Sequence, residues 1–271
     1  MTQIDKSRFE WIGSDSARRE GISRPSTTFW KDAIGRLMKN KVAVVCFFII
    51  VLLILSCIVV PFFSPFESRE QHLGEVNKGF MTVCTDSRYE GQHHVHYFGT
   101  DNLGRDLFLR AFEGGRVSLM IAFAAVFVNL IVGLIYGGIS GYIGGAVDTI
   151  MMRIVEIVNG IPYLIVVILL MMVLPKGIFT MVVAYGITGW TGMARLVRGQ
   201  VLQLKSQEYI VAAEAMGAKS SRIIAKHLIP NALSVIIINV TLAIPSAIFT
   251  EAFLSYIGLG VPVPQPSWGV L

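Results

Sequence analysis

Charge is scarce in this 271-residue chain: Asp, Glu, Lys and Arg make up 15% of it, against 54% for hydrophobic residues. Soluble domains carry about 25% charged residues, so an ordinary aqueous globule is excluded. Cysteine is scarce too, with three residues. Cys46 and Cys57 lie inside the first apolar run and read as small apolar residues, while Cys84 stands by itself in a polar stretch. That spacing argues against an intrachain disulfide and leaves a bridge to another subunit as the alternative. Enzyme signatures are missing: there is no GK[ST] phosphate loop, no HExxH, no CxxC and no GxSxG. The chain therefore reads as a non-catalytic protein that binds no cofactor directly and hydrolyses no ATP itself.

What is present is a set of long apolar runs. A helix needs roughly 20 apolar residues to cross a bilayer, and runs near that length occupy 42–60, 117–138, 154–174, 178–197 and 228–249. Five helical spans are expected, because hydrocarbon offers no partner to backbone polar groups and no ten-residue alternation marks a barrel. The fold class is all-α, a polytopic transmembrane bundle. Orientation follows from Lys and Arg near the span ends. The tail carries Lys6, Arg8, Arg18, Arg19, Arg24, Lys31, Arg36, Lys39 and Lys41, and the polar island after the fourth run carries Lys205, Lys219, Arg222 and Lys226. Both are expected in the cytoplasm, and the four spans between them agree with that. Anionic lipid and topology account for the net charge of +5, with no nucleic acid partner implied.

This gives a cytoplasmic tail at 1–28, an interfacial amphipathic helix at 29–41, a first span at 42–60, an outer loop at 61–116 and a membrane core at 117–271. The segment 29–41 reads equally as an extension of the first span. Within the core, Gly133, Gly137, Gly141 and Gly145 recur every four residues and predict a smooth stripe for close helix packing. Pro162 and Pro245 permit bends. Intramembrane polar residues are sparse, and Glu156 with Arg153 reads as a local surface pair, which weakens an ion-coupled mechanism. In the outer loop His72, His93, His94 and His96 have the chemistry for a soft or borderline metal. No carboxylate or thiolate is placed by spacing to complete a shell, so the reading is a solvated loop without metal.

The most informative stretch is the island at 207–231, within a cytoplasmic loop spanning 198–229. Gln207 to Met216 favours helix, Gly217 is a natural left-handed stop, Ser220 is placed to cap a second short helix, and Pro230 suits the first turn of the next span. A helix, tight turn and helix at the membrane surface make a docking knob, and Ala212, Ala213 and Ala215 keep it small.

At these residues the chain resembles the permease subunits of ABC importers, whose signature is Glu-Ala-Ala, then Gly, then an Ile-x-Leu-Pro ending. Ala212, Ala213, Gly217, Ile229 and Pro230 match; Val211 replaces the Glu and His227 the first Ile. HYFGTDNLGRDLFLRAFEGGRVSL, ARLVRGQVLQLKSQEYIVAAEAMGA, HLIPN and EAFLSYIGLGVPVPQPSWG are similar to the dipeptide and oligopeptide permease C group, which includes nickel importers. The resemblance runs from about residue 29 to the end. It implies the type I ABC importer permease fold with a sixth span, which these 271 residues do not contain. It also implies a bacterial inner-membrane importer of peptides or nickel, with a second homologous permease, two cytoplasmic ATPase subunits that use ATP and Mg, and an extra-cytoplasmic substrate-binding protein. Glu208, Tyr209, Ala212, Ala213, Ala215, Gly217, Ala218, Lys219 and Arg222 would then form the coupling surface. A secondary transporter or channel and a non-transporting scaffold are the readings outside this class.

Overall fold

The computed structural model describes residues 29–85 and 94–271. His93 and the tail 1–28 lie outside the described residues. The chain divides into two compact units, Met1–Leu53 and Ile54–Leu271. In the first, α1 (Phe29–Lys39) is followed by α2 (Lys41–Phe63), which continues into the second. Asn40 separates them and caps α2, its side-chain oxygen accepting from the Ala43 N–H at 3.2 Å.

After α2 the second unit continues into the expected outer loop, which is not free of β-structure: a 3₁₀ turn at Leu73–Glu75 precedes a two-residue antiparallel ladder. Strand β1 (Thr82–Val83) pairs with β2 (Val95–His96), with Thr82 opposite His96. Helix α3 then runs from Leu107 to Ile143, started by Asp106, whose carboxylate accepts from the Leu109 N–H at 2.7 Å. At about 1.5 Å per residue it is about 55 Å long, more than the ~30 Å of hydrocarbon. Residues 117–138 are thus only its apolar middle.

The remaining helices are α4 (Gly145–Asn159), α5 (Tyr163–Val173), α6 (Ile178–Thr188), α7 (Trp190–Lys205), α8 (Glu208–Ala215), α9 (Ser220–Ile223) and α10 (Ile229–Tyr256). Among the described residues three stretches, Lys41–Phe63, Leu107–Ile143 and Ser220–Tyr256, are long and apolar enough to cross a membrane, and the bent pair Gly145–Asn159 plus Tyr163–Val173 offers one more. The single helix expected at 154–174 is therefore two, at 77° to each other. Proline 162 is the cause, since it disfavours helical backbone at Ile161 and lacks the N–H to continue the ladder. The run at 178–197 is likewise divided, at Gly189, into α6 and α7. At Pro245, by contrast, α10 continues without interruption.

Helix α3 is the mast of the second unit, packing most extensively on α7 and then on α10 and α6. The glycine stripe explains the α7 contact. A Cβ on Gly133 would stand 2.5 Å from Met193 Cβ, on Gly137 2.3 Å from the Ala194 carbonyl oxygen, and on Gly141 2.9 Å from the Arg198 carbonyl oxygen. Gly145 does not continue the stripe. Helix α3 has ended at Ile143, so Gly145 turns the chain into α4 with nothing of its surroundings near its missing Cβ. One core cluster, around Val117, Ile121, Met181 and Leu254, joins α3, α6 and α10; another, around Val197, Val201, Ile223 and Ile236, supports the polar island.

Candidate coupling site

The island is built from the inside out. Ile210, Ile223 and Leu228 are buried and pack with Val197 and Val201 of α7 and Ala232 and Ile236 of α10, and Ala213 is buried as well. These anchors fix α8 and α9 against the bundle, so the rest of each short helix must face away. Helix α8 ends in a Schellman motif: the Gly217 N–H donates to the Glu214 carbonyl at 2.9 Å and the Ala218 N–H to the Ala213 carbonyl at 3.1 Å. That geometry needs a left-handed residue, and Gly217 supplies it at φ +79°. Helix α9 follows, but Ser220 is its first residue and not its cap; Lys219 holds the cap position without a side-chain hydrogen bond. A five-residue π turn, Ile224–Leu228, leads into α10, and Pro230 sits in the first turn of α10.

The outward face is apolar with a basic border. Tyr209, Val211, Ala212, Ala215 and Met216 are exposed, Met216 by 82%, and Glu208, Gly217, Lys219 and Arg222 lie around them. Of the residues singled out for coupling, Ala213 is buried and Ala218 is half-buried, so these two anchor the knob and do not line its face.

A family model described as the binding-protein-dependent transport system inner membrane component matches residues 130–271, just over half the chain. The chain belongs to this family. A second model, the N-terminal TM domain of oligopeptide transport permease C, matches residues 28–79. The permease is 48% identical over 271 residues to the oligopeptide transport system permease protein OppC of Bacillus subtilis (strain 168), covering 100% of this chain and 85% of that one. It is 46% identical over 252 residues to the dipeptide transport system permease protein DppC of the same strain, covering 93% and 75%. Inward-facing MetNI methionine ABC transporter (CY5 native crystal form) is similar in fold, with a TM-score of 0.50, 22% identity, and coverage of 57% of this chain and 77% of that chain. The fold is that of an ABC importer permease, and the protein is a multi-pass membrane permease component of a transport system.

Three features of the permease are not legible in its sequence. Tyr142, in the last turn of α3, braces the knob: its hydroxyl donates to Glu214 Oε1 at 3.0 Å, and its carbonyl accepts from Lys205 Nζ at 2.6 Å. Arg198 of α7 makes a two-pronged contact with Asp148 of α4, both bonds 2.6 Å, and Ser140 of α3 donates to the same carboxylate. Arg153 and Glu156, by comparison, form the expected local pair at 2.7 Å. At the opposite end of the bundle the stretch after α10 folds back on α3. Trp268 Nε1 donates to the Ala111 carbonyl at 2.9 Å, and the Trp268 N–H donates to Ser118 Oγ, whose own proton goes to the buried Glu251. Gly114 and Gly115 make room for this strap, since a Cβ on Gly115 would be 2.7 Å from the Trp268 ring.

The outer loop differs most from expectation. It is not a solvated run of histidines: His72 and His96 are buried, and Cys84 is buried beside Glu75. His96 Nδ1 donates to Asp106 Oδ2 at 2.7 Å and Nε2 to Glu75 Oε2 at 3.1 Å. Burial opposes the imidazolium, but hydrogen bonds to Asp106 and Glu75 outweigh it and raise the His96 pKa. Glu75 is buried as well, yet donors from Thr85, Cys84 and His96 bring its pKa below the usual carboxylate value. Part of this cluster lies within HYFGTDNLGRD, but nothing in linear spacing brings residues 72, 75 and 84 to it.

Proposed function

We propose that this permease forms half of the pathway of an ATP-driven importer of di- or oligopeptides in a bacterial inner membrane, with its N-terminus cytoplasmic. The 48% identity to OppC across the whole chain supports peptide as the solute. In this reading a second homologous permease completes the pathway, two ATPase subunits consume ATP and Mg, and a substrate-binding protein delivers peptide at the outer face. Helix α1 lies in the cytoplasmic interface, its Arg36 and Lys39 toward anionic headgroups.

The observation that carries the coupling role is the two-sided construction of the knob. Ile210, Ile223 and Leu228 bind it to α7 and α10, while Tyr209, Val211 and Met216 present apolar surface beyond the bundle. Apolar side chains held out on a rigid, internally anchored turn are the signature of a surface that a partner covers. The ATPase groove is that partner, and Lys219 and Arg222 border the contact. Closure of the ATPases then moves the knob, and its anchors and the Tyr142 brace pass the motion to α3, α7 and α10.

Gly217→Trp tests this directly. The missing Cβ of Gly217 has no neighbour within 4 Å, so the new side chain starts in open space, at the cost of left-handed strain at φ +79°. The ring instead obstructs the docking face. Substrate-stimulated ATP hydrolysis by the purified importer should fall more than about tenfold, or the ATPases should no longer co-purify. Wild-type values for both would refute the coupling role.

A further inference from the structure

We propose that the outer loop holds a structural site for a borderline divalent cation, zinc by its donor set, formed by His72, Glu75 and Cys84. One ligand atom from each lies within 4.8 Å of the others, and all three residues are buried. An imidazole nitrogen, a thiolate sulfur and a carboxylate oxygen are the donors zinc takes, at about 2.0–2.3 Å, which places neighbouring donors about 3.3–3.7 Å apart in a tetrahedron. Cys84 Sγ and Glu75 Oε2 already stand 3.3 Å apart. A ring nitrogen of His72 lies within 4.8 Å of both, and one tetrahedral position remains for solvent.

The surroundings suit a metal more than they suit a bare polar cluster. Glu75 Oε1 is engaged by the N–H and hydroxyl of Thr85, which turns Oε2 toward Cys84. His96 reaches the same Oε2 with Nε2 and is itself held by Asp106 through Nδ1. This Asp106–His96–Glu75 chain is the kind of outer support that orients a ligating carboxylate. Phe66 covers one side of the site, stacked on His96 at 4.4 Å and edge-on to His72 at 6.2 Å. Two buried carboxylates, Glu75 and Asp106, stand against the single imidazole of His96, so an added cation meets uncompensated negative charge. Binding replaces the thiol proton of Cys84: the ion takes the sulfur lone pair, one proton leaves to solvent, and no redox change occurs. The metal would tie the 3₁₀ turn at Leu73–Glu75 to the residues just after β1, stapling the outer loop. The inference is independent of the solute carried.

The test uses the full chain purified in detergent, stripped with chelator and titrated with Co²⁺, then with Zn²⁺. One Co²⁺ per chain should bind with tetrahedral absorption and an intense thiolate-to-cobalt charge-transfer band, and Zn²⁺ should displace it. The band should vanish in Cys84→Ser and persist in Cys46→Ser and Cys57→Ser, and His72→Ala should weaken binding more than about tenfold. No charge-transfer band in the wild-type chain, or a band that survives Cys84→Ser, overturns the site. The wild-type spectrum is decisive even if the Cys84 variant fails to fold.

Discussion

Asp101 shows how a single side chain can organise a loop. Its Oδ1 accepts from the N–H groups of Leu103 and Arg105, both at 2.9 Å, and its Oδ2 accepts from Arg105 Nε at 2.7 Å. Arg110, fully buried, stands 3.7 Å from the same carboxylate and donates to the Ser68 carbonyl. Between them Gly104 passes so close to the His72 carbonyl that a Cβ would lie 2.0 Å from its oxygen. Partial burial alone would raise the Asp101 pKa, but the Arg105 and Leu103 donors and the guanidinium charge bring it below the ordinary value. A carboxyl with a depressed folded pKa stabilises the fold above its unfolded pKa and loses that contribution as pH falls through the folded value. The outer loop should therefore become protease-sensitive on acidification below about pH 4, with the bundle still intact. Asp101→Asn should destabilise the loop by about 1–2 kcal/mol at neutral pH and remove that acid-dependent step. An unchanged acid profile in the variant would show that the carboxyl is not responsible.

At the scale of elements, the α3–α7 contact is the best-defined piece of the bundle. Its sequence signal is strong because close approach of two helices requires the absence of side chains at a fixed period, and absence at every fourth position is visible in a linear text. The signal overruns at Gly145, because periodicity carries no information on where the capping geometry ends a helix. Gly137→Leu places a branched side chain against the Ala194 carbonyl and Val197, where a Cβ alone would be 2.3 Å and 2.9 Å away. Overpacking of this kind costs about 1–3 kcal/mol or more. Lower thermal stability of the detergent-solubilised permease and loss of transport should follow, whereas Gly199→Ala in α7, with no neighbour within 4 Å of its missing Cβ and ordinary helical backbone, should leave both unchanged. The bend between α4 and α5 is only half visible in the sequence. Pro162 announces an interruption, but its 77° angle follows from how α4 packs on α3 and α7 and how α5 packs on α6.

For the whole molecule the decisive property is sidedness. In the orientation proposed above, the basic residues of the knob face the cytoplasm and the loop that holds Asp101 and Glu75 faces outward. Cysteines introduced at Lys219, Arg222 and Lys226, all exposed, should be labelled by an impermeant maleimide only in inside-out vesicles. A cysteine at Phe80, exposed in the outer loop, should be labelled on intact spheroplasts. Labelling of the first set from outside would reverse the assigned orientation.

Sequence by itself determined the membrane class, the apolar runs, the glycine stripe, the left-handed stop at Gly217 and the kinship of the chain. Each of these is a local or periodic property, recorded in the order of residues along one segment. Tertiary structure alone decided which residues of the knob anchor it and which face outward, since burial of Ile210 but not Val211 depends on the α7 and α10 side chains that Ile210 packs with. It also decided the Tyr142 brace, the Trp268 strap and the buried cluster of His72, Glu75, Cys84 and His96. Those contacts join residues far apart in the chain, and no spacing rule reports a distance that folding alone creates.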